Sequence, residues 1–291
     1  MLLNASGCLD ALAAPAVARS LDAFVTKTVT PEPREGNEPT RIAETEHGML
    51  NSIGLQNPGR ERFLAEVLPR LRELGLPLWV SVGGFSAAEY AATCAELEDV
   101  TIELNLSCPN VDEAPESAAE IVGTCRAMTG LPLYAKLSPH LPDIAEAARA
   151  VERAGADGLS LVNTLRGLAL DERTLRPRLA RGAGGYSGPA IKPVALAAVY
   201  ACRRASSLPI VGMGGVWNGR DVLELIAAGA SSVALGTVLF TDPGAPARIR
   251  GELHEAADAL GLADPWEAQG IAHAESVSTS TTEQTPAYQL N

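Results

Sequence analysis

One cysteine in this sequence stands in a setting that could support chemistry. Cys108 follows a predicted strand by two residues, in the segment Asn105-Leu106-Ser107-Cys108-Pro109-Asn110, where amide side chains lie on both sides of it. A thiol in this position could act as a nucleophile or as a base. Because no adjacent histidine or carboxylate supports a papain-like pair, proton abstraction is the better role. The other cysteines are interpreted as small buried hydrophobic residues: Cys8, Cys94, Cys125 and Cys202.

Two lysines, Lys27 and Lys136, end predicted apolar strands. Lysine is rarely buried fully unless it is paired, so each calls for a nearby anion or a strong acceptor. Either lysine alone could extend to solvent or pair with a neighbouring carboxylate. The two together favour a bound ligand, and a reduced isoalloxazine ring would supply the negative charge.

Glycine-rich segments follow the last two predicted strands, where barrels commonly bind phosphate. These segments are Val211–Gly215 and Gly236-Thr237. Residues without side chains let backbone amides approach phosphate oxygens, and a short helix adds the dipole of its N-terminus. The sequence has neither a G-x-x-x-x-G-K-[ST] loop nor a G-x-G-x-x-G motif opening an N-terminal βαβ unit, so ATP hydrolysis and Rossmann-type dinucleotide binding lose support. The phosphate of FMN is the better match.

Five asparagines fall in segments predicted to lie at one mouth of the fold. Each alone is typical of a turn. Together their donors and acceptors suit a neutral, planar ligand that carries amides and a carboxylate, such as a polar cyclic substrate. None of the four histidines ends a strand, and we interpret all four as structural or solvated. The asparagines are Asn51, Asn57, Asn105, Asn110 and Asn163.

The elements that must position these residues alternate between short apolar strands and stretches with helical spacing. Eight repeats predict a parallel (β/α)8 TIM barrel, with catalytic groups at the C-terminal strand ends and a doubly wound open sheet as the alternative. The predicted strands are Leu2–Ala5, Phe24–Thr28, Leu78–Val82, Thr101–Leu106, Pro132–Leu137, Gly158–Val162, Leu208–Met213 and Ser232–Gly236. The predicted helices include Arg62–Leu74, Ala87–Leu97, Ser117–Met128, Ile144–Ala154, Pro193–Ala205 and Arg220–Ala228.

Two segments, Val29–Pro58 and Arg166–Lys192, are longer than an ordinary βα connection of roughly two to six residues. We predict that they form elaborated loops over the C-terminal mouth of the barrel. Residues 1–273 should form a single FMN-binding barrel domain. Residues 274–291 are rich in Ser, Thr and Gln, and we expect a disordered tail.

Composition excludes several classes of function. The chain has 291 residues, 46% hydrophobic content, a net charge of -12 and a pI near 4.9. This charge disfavours nucleic acid, which selects clustered Lys and Arg. No run approaches the roughly 18 apolar residues of a membrane span, and the start lacks a secretory signal, so we expect a soluble, cytoplasmic protein. The spacing of the cysteines argues against disulfides, a metal site or an iron–sulfur cluster within this chain.

Five short motifs occur in a fixed order along the chain. They are Phe24–Thr28, Glu32–Asn37, Asn51–Asn57, Asn105–Asn110 and Ser187–Pro193. Together they resemble dihydroorotate dehydrogenase, and the match runs from Asn4 to about Phe240. The resemblance implies oxidation of dihydroorotate to orotate in pyrimidine synthesis, with FMN at the barrel mouth. It also implies that Cys108 takes a proton from C5 of the substrate while hydride leaves C6 for the flavin.

The resemblance further implies which residues hold each ligand. For the substrate they are Lys27, Asn51, Gly54, Leu55, Asn105, Asn110, Asn163 and Thr164. For FMN they are Ser6, Lys27, Thr28, Asn105, Lys136, Val162, Gly188, Gly214, Gly215, Gly236 and Thr237. A thiol whose reference pKa is about 8.5 is a usable base once its environment is tuned. Fixed amides can stabilise charge that develops on a ring carbonyl.

The subclass can also be inferred by resemblance. Cysteine at position 108, with no amphipathic segment before the first strand, resembles the soluble class 1 enzymes rather than the membrane-associated class that reduces quinone. Ser187–Pro193 followed by Val211–Gly215 is similar to the NAD-dependent subclass, which works with a separate subunit carrying FAD and an iron–sulfur centre. The fumarate-reducing homodimer is the nearest alternative. We expect a homodimer, with the electron-transfer subunit as a further partner.

Three features depart from the family pattern. The chain starts at the first strand, without the hairpin that usually closes the barrel floor, so we expect a truncated start or an open floor. The loop Val111–Ser117 is short and acidic for a lid that carries the base, and the polar tail has no assigned role.

Three other functions compete. A tRNA-dihydrouridine synthase would need a basic RNA surface, which an acidic chain does not offer. A non-catalytic flavin-binding electron-relay subunit would not need Cys108 and the amides. A flavin barrel oxidoreductase that acts on another cyclic amide stays open, because fold does not determine substrate.

Overall fold

The strands of the computed structural model build a barrel and a second, smaller sheet; residues 1–106 and 118–274 are described. In chain order the strands are β1 (Leu2–Asn4), β2 (Phe24–Val25), β3 (Ile42–Thr45), β4 (Gly48–Asn51), β5 (Leu78–Val82), β6 (Thr101–Asn105), β7 (Leu133–Lys136), β8 (Gly158–Leu161), β9 (Leu165–Gly167), β10 (Gly184–Ser187), β11 (Ile210–Met213) and β12 (Ser232–Leu235). Eight are parallel, in the order β1-β12-β11-β8-β7-β6-β5-β2. A parallel bridge between Leu3 and Ala23 connects the two edges of this sheet. The (β/α)8 barrel is thereby confirmed, and every predicted barrel strand is present.

Helices surround the barrel and include all those predicted, within two residues at most ends. They are α1 (Pro15–Ala18), α2 (Arg60–Arg62), α3 (Leu68–Arg72), α4 (Ala87–Cys94), α5 (Ala118–Met128), α6 (Ile144–Arg153), α7 (Lys192–Ala205), α8 (Gly219–Ala227), α9 (Val238–Thr241) and α10 (Ala245–Asp258). A π-helical turn at Phe63–Val67 separates α2 from α3, and 3-10 turns occur at Pro189–Ile191, Pro265–Ala268 and Ile271–His273. Side-chain caps at Ser86, Asp143 and Asn218 start α4, α6 and α8, because such oxygens accept from otherwise unpaired N–H groups. No described helix is long and apolar enough to cross a bilayer.

The barrel strands are buried on both faces, as expected when helices cover a parallel sheet. Their inward-facing side chains fill the lumen, and Trp79 and Tyr134 pack there with ring centroids 4.4 Å apart. Both residues lie at the start of their strands, and Trp79 is 5% exposed. An added Cβ at Gly158 would lie 2.2 Å from the Tyr134 ring, so glycine makes room for it. Aromatic side chains thus pack at this end of the lumen, and the expectation of a truncated start or an open floor stays a prediction.

The two long segments predicted as loops pair with each other in a four-stranded antiparallel sheet, in the order β3-β4-β10-β9. We call it the mouth sheet. Gly185 pairs with Asn51 on one side and with Arg166 on the other. Glycine is required here, because a Cβ at Gly185 would lie 2.2 Å from the Thr164 hydroxyl. The prediction of elaborated loops over the mouth was therefore incomplete, because the two segments form regular strands where they meet.

Candidate active site

A cavity of about 290 Å³ lies between the C-terminal ends of the barrel strands and the mouth sheet, close to the lower end of the volumes typical of ligand sites. Of the candidate site residues predicted from the sequence and described by the structure, all but Gly54 and Asn57 line it. These are Ser6, Lys27, Thr28, Asn51, Leu55, Asn105, Lys136, Val162, Asn163, Thr164, Gly188, Gly214, Gly215, Gly236 and Thr237.

A chain of hydrogen bonds fixes the amides at the centre of this cavity. Asn105 donates from Nδ2 to the Thr28 hydroxyl at 3.1 Å and accepts at Oδ1 from Asn163 Nδ2 at 2.9 Å. Asn163 Oδ1 in turn accepts from the backbone N–H of Thr164 at 2.8 Å. The Tyr90 hydroxyl donates to the Asn105 carbonyl at 2.7 Å, which holds the end of β6. Because each amide has a partner on both sides, its orientation is set before a ligand binds.

The two lysines predicted to share an anion differ in their surroundings. Lys136 is 5% exposed, and its Nζ donates to Glu103 Oε1 at 3.3 Å. The buried carboxylate that the sequence reasoning left as the alternative is therefore present, and it is Glu103, two residues before Asn105 on β6. Lys27 is exposed, and its Nζ would lie 3.3 Å from a Cβ added to Gly7. Two ammonium groups thus line one cavity, but only one of them is buried.

Glycines form a cradle where the barrel was expected to bind phosphate. Gly214 and Gly215 have φ of +118° and +78°, which disfavour a side chain. A Cβ at Gly215 would lie 2.5 Å from the backbone nitrogen of Lys192, so the loop after β11 touches the start of α7. Beside it, the Thr237 hydroxyl donates to the Ser187 hydroxyl at 2.8 Å. This cradle of residues without side chains fits a phosphate, and the cavity with its fixed amides and buried cation fits a flavin ring, so the residues present are compatible with FMN.

Two residues near the cavity hold the loop that follows β4. Asn57 accepts at Oδ1 from the Thr30 and Gly59 backbone N–H groups at 3.2 and 2.9 Å, and donates from Nδ2 to the Thr30 hydroxyl and to the Leu55 carbonyl, each at 2.7 Å. It does not line the cavity, so the inference that it belongs to a substrate-recognising set was wrong. Gly54 has φ +77° and lies against Asn37, and it shapes the turn that places Leu55.

Sequence reasoning missed several cavity residues, of which Cys8 is the one with a titratable side chain. It was expected in the core with Cys94, Cys125 and Cys202, and those three are buried, but Cys8 is half-buried and lines the cavity. Burial raises the pKa of its thiol, against the opposing charges of Lys136 and Lys27. Its position, four residues after β1, was the available signal. The remaining missed residues are Ala5, Gly7, Ile42, Met49, Ile53, Ser187, Ile191, Met213, Val216 and Phe240.

The histidines lie where structural roles were expected. His140 accepts at Nε2 from the Arg166 backbone N–H at 2.6 Å, which ties the loop after β7 to β9. His273 stacks on Tyr200 at 4.2 Å between ring centroids.

Two site residues, Cys108 and Asn110, and the acidic segment 111–117 fall outside the described residues, as does the tail from 275 onward.

The chain belongs to the dihydroorotate dehydrogenase family, whose sequence profile matches residues 1–256. This match confirms the resemblance inferred from the five motifs.

Individual relatives give a narrower comparison. The catalytic subunit of dihydroorotate dehydrogenase B (NAD(+)) from Listeria monocytogenes serovar 1/2a is 46% identical over 253 residues, which cover 83% of each chain. The same subunit from Geobacillus kaustophilus is 44% identical over 253 residues, covering 83% of this chain and 81% of that one. A crystal structure of DHODH from Eimeria tenella in complex with ferulenol matches with a TM-score of 0.77 over 94% of this chain and 85% of its own, at 21% identity. That likeness supports the fold.

Proposed function

We propose that this chain is the catalytic subunit of an NAD-dependent dihydroorotate dehydrogenase, which oxidises dihydroorotate to orotate in pyrimidine biosynthesis. The observation that carries the proposal is the fixed chain Thr28–Asn105–Asn163, which lies in one cavity with buried Lys136 and the glycine cradle. The family match and the relatives named catalytic subunits support the same activity.

FMN would be held by residues from most of the barrel strands. Backbone groups of Gly214, Gly215 and Gly236 would take the phosphate, since they leave room for close approach. The ring would be held by Lys136 together with Ser6, Lys27, Thr28, Asn105, Val162, Gly188 and Thr237. When bound, FMN supplies the electron acceptor for the hydride that leaves C6 of dihydroorotate.

The substrate would be held by residues of the barrel mouth and of the mouth sheet. Asn105, Asn163 and Thr164 are fixed relative to one another and would bind the amides of the substrate ring. Asn51, whose Nδ2 donates to the Gly185 carbonyl at 3.2 Å, faces them from the mouth sheet. The remaining substrate residues would be Lys27, Gly54, Leu55 and Asn110.

Cys108 would be the general base that takes the proton from C5. Only the thiolate can accept that proton, so its activity depends on tuning the thiol toward ionisation. The thiol of Cys8, which lines the cavity, is an unsuitable base, because burial raises its pKa.

The relatives are named catalytic subunits, and this name implies a partner subunit. We propose a cytoplasmic complex in which a homodimer of this chain works with an electron-transfer subunit that carries FAD and an iron–sulfur centre. NAD would then receive the electrons. Copurification from the native host followed by acceptor assays distinguishes this complex from a fumarate-reducing homodimer.

Anaerobic reduction of the bound flavin tests the function. Purified protein should be yellow, and dihydroorotate should bleach its flavin absorbance. The Cys108→Ala variant should bind FMN as tightly but be reduced about 10²- to 10⁴-fold more slowly, the range expected for loss of a general base. A wild-type flavin that dihydroorotate does not bleach would reject the substrate. Fast reduction of the variant would reject Cys108 as the base.

A further inference from the structure

Lys136 and Glu103 form a buried ion pair of which only the lysine faces the cavity. Lys136 lines the cavity, whereas Glu103 is 1% exposed and does not. The ammonium therefore faces the cavity and the carboxylate lies behind it, 3.3 Å away. They come from neighbouring strands, β6 and β7, with Glu103 opposite Tyr134 in the register.

The energetic cost of burying the Lys136 ammonium indicates what Glu103 does. A buried ammonium without an anion loses its proton readily, because removal from water destabilises the charged form. Among the described residues, Cys8 and Lys27 lie near the pair at the cavity, and Tyr134 lies opposite Glu103 in the register of β6 and β7. Lys27 is a like charge, and burial raises the pKa values of both the Cys8 thiol and the Tyr134 phenol. Neither would supply an anion at neutral pH, so Glu103 is the compensating charge.

We propose that Glu103 is a positioning residue that keeps Lys136 protonated in both redox states of the bound flavin, so that reduction takes up one proton and not two. The inference rests on the proposed function only in assuming that FMN occupies the cavity. With Lys136 already charged, two electrons and one proton enter the ring, and its remaining negative charge is met by a fixed cation. The ammonium would then be available to the reacting ring without waiting for a proton.

Loss of the carboxylate changes this balance. In the Glu103→Gln variant with oxidised flavin, neither a carboxylate nor a negatively charged ring lies beside Lys136, so its Nζ would be neutral. Arrival of negative charge on the ring would then bring a second proton to Nζ. The flavin still takes two electrons and one proton, and the extra proton resides on the lysine.

The pH dependence of the flavin midpoint potential measures this proton count. Holoprotein is titrated with dithionite and mediator dyes, without dihydroorotate, from about pH 7 to about pH 9, where exposed carboxylates are ionised. The wild type should show the slope of one proton per two electrons. Glu103→Gln should show a slope about twice as steep, since the slope is proportional to protons per electron. The double variant Glu103→Gln with Lys136→Met should return to the wild-type slope.

Each outcome decides the proposal. An unchanged slope in Glu103→Gln overturns it, and a doubled slope that persists in the double variant overturns it by placing the second proton elsewhere, such as on Cys8. If Glu103→Gln does not hold FMN, Glu103→Met carries the same expectation with an apolar side chain of similar volume. A wild-type protein that binds no FMN would reject the flavin assignment together with this inference. Because no substrate is used, failure to oxidise dihydroorotate leaves the slopes readable.

Discussion

At the scale of single residues, the cavity depends on side chains that hydrogen-bond to one another and on glycines whose lack of a side chain leaves room for close approach. Asn105 uses its amide as donor and acceptor at once, toward Thr28 and Asn163. Each such bond contributes only about 1 kcal/mol net, but an unpaired buried amide would cost more. Fixing the orientation of the amides in advance therefore lowers the entropic cost of ligand binding.

Gly215 offers a test of the phosphate cradle. We expect Gly215→Ala to weaken FMN binding at least about tenfold, which corresponds to about 1.4 kcal/mol, because the new Cβ would lie 2.5 Å from the Lys192 nitrogen and the loop would have to move. Gly182→Ala is the matched control, since Gly182 has the same φ of +78° with no heavy atom within 4 Å of an added Cβ. Both variants carry backbone strain, but only Gly215→Ala adds a clash. Equal FMN affinities by fluorescence titration would contradict the cradle.

At the scale of elements, the mouth sheet turns two insertions into one cover for the site. Asn51 lies on β4 and faces the cavity while it bonds to Gly185 of β10, 134 residues later. β10 ends at Ser187 and leads directly into Gly188, and both residues line the cavity. Regular pairing fixes these positions more firmly than two separate loops could, because each strand restricts its neighbour.

The start of α8 gives a prediction for an element. Asn218 accepts from the Asp221 N–H at 3.0 Å, and Asp221 accepts from the Asn218 N–H at 3.0 Å, so the two residues form a capping box. Asn218→Ala should lower the free energy of unfolding by about 1 kcal/mol in urea denaturation. Asn218→Ser should retain most of the stability, because serine can accept the same bond. A loss of equal size in both variants would show that the cap is not the cause.

At the scale of the molecule, the barrel closes where its first and last sheet neighbours meet. Asn4 is fully buried and bridges β1 to β2, donating to the Val25 carbonyl at 2.7 Å and accepting from the Val25 N–H at 2.9 Å. A side-chain amide thus completes the ladder where only one backbone bridge forms. Nearby, Asp22 accepts from the Leu2 N–H at 2.7 Å and pairs with Arg250 of α10 at 2.9 Å. The beginning of the chain is joined to its last long helix.

This junction predicts how stability depends on pH. Burial raises the pKa of Asp22, but the Leu2 N–H and Arg250 outweigh it and lower the pKa below the ordinary 3.8. The ionised carboxylate therefore stabilises the fold above about pH 4, and this contribution is lost as pH falls through the lowered value. Relative to Asp22→Asn, we expect the wild type to be more stable by up to about 1 kcal/mol at pH 7, a small value because the pair is partly exposed. Urea unfolding as a function of pH should show this gap closing in acid.

An Arg250→Met background provides the control for this prediction. Without the guanidinium, the pH-dependent loss of stability caused by Asp22→Asn should shrink, leaving the part due to the Leu2 N–H. If that loss is the same in both backgrounds, the arginine does not contribute to it.

The sequence by itself determined the barrel, the family and most of the cavity. Strand periodicity is local, and in a parallel barrel the C-terminal ends of all strands meet at one mouth, so residues such as Lys136, Asn105 and Asn163 could be placed together from their positions alone. The motifs that indicated the family also follow strand ends, which is why they could be interpreted without coordinates.

The tertiary structure decided which distant residues became partners. In the sequence, Glu103 is one residue inside a predicted strand, and nothing in the local pattern points to a partner. The register of β6 against β7 brings it to Lys136. The mouth sheet joins segments more than 130 residues apart, and their glycine-rich strands carry little periodic signal. Cys8 was expected in the core but lines the cavity, and Asn57 was expected at the cavity but holds a loop. The reason is the same for both, because packing alone decides whether a side chain near the mouth lines the cavity or supports a loop. Local pattern specifies elements, whereas contacts between elements depend on how the whole chain packs.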